Sequence, residues 1–417
     1  MTQTPYVLTQ LCAYIDRDYF EMLVKRYHAN AYVKSFSCWN QLVTMTWAHL
    51  TRRVSLRDIE CSLRGHRSKL YRMGIGKNVS RNTIANANAR REVAVFRELA
   101  QRMMEKASKT SIKNDELAEI GARFKVNGFF AGDSSTIYLD LGRFTWSTPQ
   151  RGRGGLKLHT LYDLLRHVPT MALLTGHEER DQTFLEDYPF RRGAIYMFDK
   201  AYVKTRSLNH INKEGAWFVV RLKARMAYEV IRDTQSLNTT TGENDMRIMG
   251  DHIIRFTNRW AKAGYPGELR LVRYYCAEKN ELMMFLTNNF ILPPLIIALL
   301  YRYRWEIETF FRWIKQHLRI ESFFGTSANA VMIQIYIAVT VFCALSLAVN
   351  ELKFEGSLYD FSRLLSTALT EKVWLRDLAR QFNLEEAEVE KNATKYGVVR
   401  SLFEDGKWQI AKSRPKK

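Results

Sequence analysis

From Tyr301 to Arg319 the chain reads Tyr-Arg-Tyr-Arg-Trp-Glu-Ile-Glu-Thr-Phe-Phe-Arg-Trp-Ile-Lys-Gln-His-Leu-Arg. No proline or glycine interrupts the run and good helix formers dominate it, so the spacing predicts one helix. At about 100° per residue, Tyr301, Arg304, Glu308, Arg312, Lys315 and Arg319 fall within roughly 80° of one another. Ile307, Phe310, Phe311, Ile314 and Leu318 form the neighbouring apolar stripe. A single carboxylate thus stands in a row of cations beside a face built for a core. One reading is a solvated ladder of i, i+4 ion pairs. The other is an acidic metal ligand flanked by phosphate-holding cations, which requires partner carboxylates elsewhere in the chain.

The chain has 417 residues, enough for a large core and for two or three domains. Lys+Arg 63 against Asp+Glu 43 gives a formal charge of +20, which points to a polyanionic partner, nucleic acid before a membrane surface. The 5 cysteines are odd in number, widely spaced and free of any CxxC pair. That usage argues against a disulfide framework or zinc module and suits a reducing compartment, expected to be the cytoplasm. No apolar signal segment opens the chain. Val331 to Val349 is apolar enough to raise the question of a membrane span. Gln334, Thr340 and Ser346 interrupt it, so a buried core helix is expected and no membrane partner.

Residues 1 to about 110 read as helical and basic. Ser55-Leu56-Arg57-Asp58 resembles a capped helix start, and Met73-Gly74-Ile75-Gly76 a turn. If Ser80 caps the next helix, Asn82, Asn86 and Arg90 share one face at i, i+4, i+8. Asn and Arg are the side chains that read adenine and guanine edges bidentately, and helix, turn and polar second helix would make a DNA-binding unit. The alternative is a solvated helix on an all-α lid.

From Lys125 the texture changes to short apolar runs. Val126 to Gly132 reads as a strand leading into Asp133. Gly155 to Leu161 follows a basic, glycine-rich loop at 151–154, and Val168 to Leu174 is a third run. Ala194 to Phe198 is continuously apolar, as an interior strand would be, and ends in Asp199. Two aspartates are therefore expected at or just beyond the ends of separate strands. Each alone reads equally well as a turn starter. Together with Glu308 they read as a set, because a carboxylate buried without compensation is costly.

Between Asp199 and Glu308 lies far more chain than the dozen or so residues a crossover needs. Trp217 to Lys223, His252 to Phe256, and a hairpin of Leu269 to Tyr275 with Leu282 to Thr287 read as strands of an inserted β-rich module. Pro293-Pro294 starts a helix that runs toward Tyr301. Residues 356 to 410 read as short helices, and 412–417 as a basic tail.

The spacing Tyr-x2-Arg-x3-Glu-x6-Lys, met by Tyr301, Arg304, Glu308 and Lys315, resembles the helix motif of DDE transposases of the insertion-sequence-four type. Asp133 in Gly-Asp-Ser-Ser-Thr resembles that family's first catalytic aspartate. Asp199 in Met-Phe-Asp-Lys-Ala-Tyr is similar to the second, although the family more often has Asp-Arg-Gly-Tyr. Lys157 to Tyr162 resembles the second core strand, and the Ser55 and Ala87 stretches resemble the domain that often precedes the core. The resemblance implies an α/β, ribonuclease H-like mixed sheet with flanking helices, a β-rich insertion before the glutamate helix, and a helical N-terminal DNA-binding domain. It divides the chain into that DNA-binding domain (1–115), a first part of the core (116–204), the insertion (205–290), a second part of the core (291–355) and a helical C-terminal region with a basic tail (356–417).

The implied activity is metal-dependent strand cleavage at terminal inverted repeats, followed by strand transfer into target DNA. Two Mg²⁺ ions about 4 Å apart, with Mn²⁺ able to substitute, suit such chemistry by sitting on the attacking and leaving oxygens. Hard ions want carboxylates, so Asp133 would bridge both, with Asp199 and Glu308 holding one each. Tyr301, Arg304 and Lys315, with Arg312 and Arg319, would hold phosphates of the end, and a tryptophan of the insertion, Trp217 or Trp260, would stack on a flipped base. Lys157 and His159 would touch DNA or face solvent. The implied partner is double-stranded DNA, ends and target, held by a homodimer. A silent DNA-binding protein on this fold and a ribonuclease H-like nuclease are the other readings. The intact acidic set argues against the first, and the long insertion against the second.

Overall fold

The computed structural model describes residues 4–77, 79–147, 154–176, 178–179, 185–202, 204–222, 226–234, 246–276, 280–318, 320 and 322–395. Arg319, the arginine-glycine loop at 151–153, most of the polar loop before residue 246 and the basic tail lie outside them. Two compact units divide the chain, one of residues 1–84 and 344–417, the other of residues 85–343.

The first unit is helical: α1 (Val7–Cys12), α2 (Arg17–Arg26), α3 (Cys38–Leu50), α4 (Leu56–Gly65) and the start of α5 (Arg81–Arg90). It also holds the end of α12 (Ala328–Glu351), together with α13 (Leu358–Ala368) and α14 (Leu375–Lys395). Side-chain caps set several of the starts. Asp16 accepts the Tyr19 N–H, and Ser55 accepts the Asp58 N–H as its sequence predicts. Gly74 and Gly76 adopt φ of 81° and 107°, so the predicted turn uses backbone that glycine enters without cost. The start of α1 is tied to the segment that leads into α14. Val7 N–H donates to the Glu371 carbonyl, and Gln10 donates to the Val373 carbonyl while accepting the Leu375 N–H.

The second unit contains α6 (Val93–Ala107), α7 (Asp115–Phe124), β1 (Phe129–Leu139), β2 (Gly154–Asp163), β3 (Val168–Gly176) and β4 (Ile195–Phe198). Next come α8 (Thr205–Lys213), β5 (Trp217–Arg221), β6 (Tyr228–Asp233), β7 (Met246–Phe256), α9 (Arg259–Gly264), β8 (Leu269–Cys276) and β9 (Glu281–Thr287). Then follow α10 (Pro294–Tyr303), α11 (Trp305–His317) and the start of α12. Among the described residues the strands form one nine-stranded sheet in the order β3-β2-β1-β4-β5-β9-β8-β7-β6. β4 runs parallel to β1 and β5, while the other neighbours pair antiparallel. This is the ribonuclease H-like mixed sheet, lengthened at one edge by the strands that lie between β5 and the glutamate helix.

Alternation along the strands assigns the two faces. Phe130, Tyr196, Phe198, Phe218, Val220 and Leu286 share a core with Leu208 and Ile211 of α8 and with Tyr265 beyond α9. The alternate residues face α10 and α11, where Phe285 packs against Tyr301 and Tyr162 against Phe310, each pair of rings tilted by 36°. Asp133 has the parity of Phe129 and Ala131 and so belongs to the α11 face.

Three expectations need correction. Asp133 lies in the middle of β1, not at its end, because antiparallel pairing with β2 continues to Leu139. What ends near it is the parallel pairing with β4, whose last matched pair is Gly132 and Phe198. The helix expected over 301–319 is two helices, α10 and α11, joined at Arg304. There the Arg304 N–H bonds to the Tyr301 carbonyl and the Ile307 N–H to the Arg304 carbonyl, a tighter three-residue step. His159 faces neither DNA nor solvent: it is buried, with Nε2 2.9 Å from Thr175 Oγ1. α12 is long and apolar enough to cross a membrane, yet 94% of its most apolar window is buried within the protein. Its polar interruptions are satisfied there. Gln334 accepts the Phe324 N–H and donates to the Ser322 carbonyl, and Thr340 donates to the Tyr336 carbonyl.

Candidate active site

Register brings the two aspartates together. Gly132 of β1 is matched with Phe198 of β4, so Asp133 and Asp199 are the next residues on adjacent parallel chains. Glycine is required at 132, since a Cβ there would stand 2.1 Å from a ring carbon of Phe198. Glu308 reaches the same place from α11, which lies against β1 and buries Ile307, Phe310, Phe311 and Ile314. The apolar stripe read from the sequence is thus what aims the glutamate at the strand.

Arg304 is at the centre. One guanidinium nitrogen donates to Asp133 Oδ2 at 3.3 Å and another to Glu308 Oε1 at 2.7 Å. Its side chain is 8% exposed, against 21% for Asp133 and 32% for Glu308. The Tyr301 hydroxyl donates to Asp199 Oδ1 at 3.3 Å. Two carboxylates, one from β1 and one from α11, therefore hold one cation, and a third, just past β4, accepts from the neighbouring phenol. The predicted ladder of Arg304 and Glu308 exists, but it is folded into the site instead of lying along a solvated face.

The electrostatics follow from the burial. Desolvation pushes the Asp133 carboxyl up to about 6; the Ser134 N–H and Arg304 work against it, while Glu308 and Asp199 add to it. Burial likewise raises the Tyr301 phenol to about 12, opposed by Arg304 and aided by Asp199. Burial disfavours the charge on Arg304, but Tyr301, Glu308 and Asp133 together hold its pKa above the ordinary value. Arg304 is therefore a permanent cation in this site.

The remaining candidates are spread more widely. Lys315 is half-buried, and its Nζ donates to the Thr136 carbonyl at 2.8 Å, strapping α11 to β1. Arg312 is exposed on α11. Asn82, Asn86 and Arg90 are exposed together on α5, whose start is capped by Ser80 accepting the Thr83 N–H. Of the two tryptophans, Trp260 is 78% exposed and Trp217 half-buried on a core strand. Lys157 Nζ donates to the Glu179 carbonyl. Arg221 escaped the sequence reading. It follows Val220, the partner of Phe198, so it stands level with Asp199, and its charge bears on Tyr301. The available signal was a basic residue closing the strand after the second aspartate. None of the five cysteines forms a disulfide.

The transposase DDE domain family matches residues 127–346, from just before β1 into α12, and a domain of unknown function (DUF4372) matches residues 3–76. A Sinorhizobium fredii protein named as a transposase, y4zB, is 30% identical over 297 residues, 71% of this chain and 78% of its own length. The transposase named for insertion sequence element IS4SA of Synechocystis is 24% identical over 324 residues, 75% of this chain and 86% of its own. The one named for insertion sequence element IS5377 of Geobacillus stearothermophilus is 27% identical over 216 residues, 51% and 54% of the two chains. A solved piggyBac transposase synaptic complex with hairpin DNA aligns at a TM-score of 0.44 and 10% identity over 99% of this chain and 91% of its own, too distant to argue from. The family match covers more than half of the chain and contains Asp133, Asp199, Glu308 and the two helices that carry Tyr301 to Lys315, so the chain belongs to the DDE transposases of the insertion-sequence-four type, enzymes of DNA transposition.

Proposed function

We propose that Asp133, Asp199 and Glu308 are the catalytic, metal-holding residues of a cut-and-paste transposase that cleaves DNA at terminal inverted repeats and joins the freed ends to target DNA. The observation that carries this reading is the convergence of three carboxylates from distant parts of the chain on one mostly buried spot beside Arg304. Carboxylate oxygens are the donors that hard divalent ions take, so the residue set fits two Mg²⁺, or Mn²⁺ in their place. In the described arrangement no three acidic groups stand close enough to hold an ion, because Arg304 lies between Asp133 and Glu308. When bound, the ions would supply charge for the attacking and leaving oxygens of an in-line displacement. The chain's own residues do the positioning. Ser134 N–H fixes Asp133, the Tyr301 hydroxyl fixes Asp199, and the Lys315 strap fixes α11 and with it Glu308.

Tyr301, Arg304, Arg312 and Lys315, together with Arg319 outside the described residues, are proposed to hold backbone phosphates, and the exposed Trp260 suits base stacking better than Trp217. The helical N-terminal region to about residue 115 is proposed to bind the ends through Asn82, Asn86 and Arg90, with exposed Arg57, Arg64 and Arg67 adding charge. Pairing two ends would take two copies of the chain on the DNA. The test is Mg²⁺-dependent cleavage of a fragment carrying the gene's own flanking ends, with wild type beside Asp133→Asn, Asp199→Asn and Glu308→Gln. All three variants should bind and fail to cut. A Glu308→Gln protein that cuts normally would end the metal-site reading, and a wild type that binds without cutting would favour a silent DNA-binding protein.

A further inference from the structure

We infer that Arg304 is a displaceable counter-cation of the carboxylate site, withdrawn when a DNA phosphate captures it, so that end binding and divalent-ion binding are thermodynamically coupled. The inference rests on the metal-site reading above and adds an order of events to it.

Arg304 and a divalent ion compete for the same oxygens. The guanidinium holds Asp133 Oδ2 and Glu308 Oε1, one from each of two elements that would have to share an ion. A divalent cation cannot settle between those oxygens while a fixed positive charge lies there, and Arg304 cannot shed its charge by deprotonation. It must move. Without any cation, three carboxylates would repel one another in a half-buried place, so some positive group has to remain until an ion arrives. Arg304 is that group.

The local structure permits the movement. Arg304 is the joint between α10 and α11, where helical hydrogen bonding is replaced by a three-residue step. Such steps inside long helical runs often mark hinges. The Arg304 Nε is buried and has no hydrogen-bond partner among the described residues, so the fork is held by its two outer nitrogens alone. The guanidinium also lies 5.6 Å from the Tyr301 ring and 5.8 Å from the Trp305 ring, and Trp305 is 48% exposed. An aromatic face that keeps attracting the cation as it leaves gives a track from the buried site to solvent. At the outer end only a strong anion replaces two lost carboxylate contacts, and a phosphodiester accepts the same bidentate fork. Linkage then runs both ways: the end raises ion affinity, and the ion raises end affinity by the same factor.

The experiment is Mn²⁺ binding followed by the electron paramagnetic resonance of free Mn²⁺, on the full chain, with and without a short duplex of the gene's flanking end. The duplex alone supplies the correction. Wild type without DNA should bind Mn²⁺ weakly, and the duplex should raise its affinity by about tenfold or more. Arg304→Met should bind Mn²⁺ about tenfold more tightly without DNA, and the gain from the duplex should fall by at least half. Arg304→Met binding no more tightly than wild type, or a wild type whose affinity ignores the duplex, overturns the inference. The second arm needs no variant, so it decides even if Arg304→Met is unstable. If Asp133→Asn and Glu308→Gln leave Mn²⁺ binding unchanged in both backgrounds, the metal site itself is refuted, a result distinct from failure of the coupling.

Discussion

Replacing Asp133 by asparagine should make the protein more stable above neutral pH, and by an amount set by the burial of this carboxylate. Its pKa rises from the ordinary 3.8 to about 6, with desolvation as the largest cause. Two units correspond to roughly 3 kcal/mol of penalty on the ionised form. The carboxyl is protonated in folded and unfolded chains alike below about pH 4, so no penalty exists there. Between about pH 4 and 6 the folded chain binds more protons than the unfolded one, and stability falls as pH rises. Above about pH 6 the penalty is complete. Asparagine has nearly the same shape and never ionises; its one oxygen can keep the Ser134 N–H, while its amide NH2 in place of Oδ2 gives up the Arg304 contact. We therefore expect Asp133→Asn to gain about 1–3 kcal/mol at pH 8, a rise of several degrees in thermal midpoint, and to match wild type at pH 4. The assay is thermal unfolding across that pH range in the presence of EDTA, since an ion bound to the native state would add its own stabilisation. A variant no more stable than wild type at pH 8, or a difference that does not change with pH, would refute the argument.

Other expectations concern the frame around the site. Arg270 forms a buried bidentate pair with Asp251 and also donates to the carbonyls of Asn289 and Leu292 just before α10. Arg270→Met should cost about 3–5 kcal/mol in urea unfolding, and adding Asp251→Leu should recover most of it; a cost under about 1 kcal/mol would deny the pair that role. Lys315→Ala should lose about 1 kcal/mol through the Thr136 strap and also lower the salt slope of end binding by about one, two separate readouts of strap and phosphate contact. Asn86→Ala and Arg90→Ala should each weaken binding to the gene's own ends more than to unrelated duplex in filter binding. Equal losses on the two duplexes would make α5 a polar surface without base readout.

Much of the site was legible because it rests on local periodicities. The apolar stripe Ile307, Phe310, Phe311 and Ile314 reads from 3.6-residue spacing, and it fixes which edge of α11 carries Glu308. The interior strand Ile195–Phe198 reads from its unbroken apolar run, and it delivers Asp199. Lys315, Arg304 and His159 were less legible, because in each case the partner comes from a distant strand or a neighbouring turn. A lysine three residues beyond the exposed Arg312 looks solvated until the Thr136 carbonyl is known to lie beneath it.

By itself the sequence determined the acidic set, the helix and strand textures, the DNA-seeking charge and the α5 face of Asn82, Asn86 and Arg90, all properties of residue type and spacing along one element. Only the tertiary structure decided that Asp133 sits inside a long strand, that the glutamate helix breaks at Arg304, and that this arginine fills the space between carboxylates. Those outcomes depend on pairings between β1, β2 and β4 and on the docking of α11 across them, and an arginine's position in a site is set by the charges that reach it from elsewhere in the fold, which no local pattern encodes.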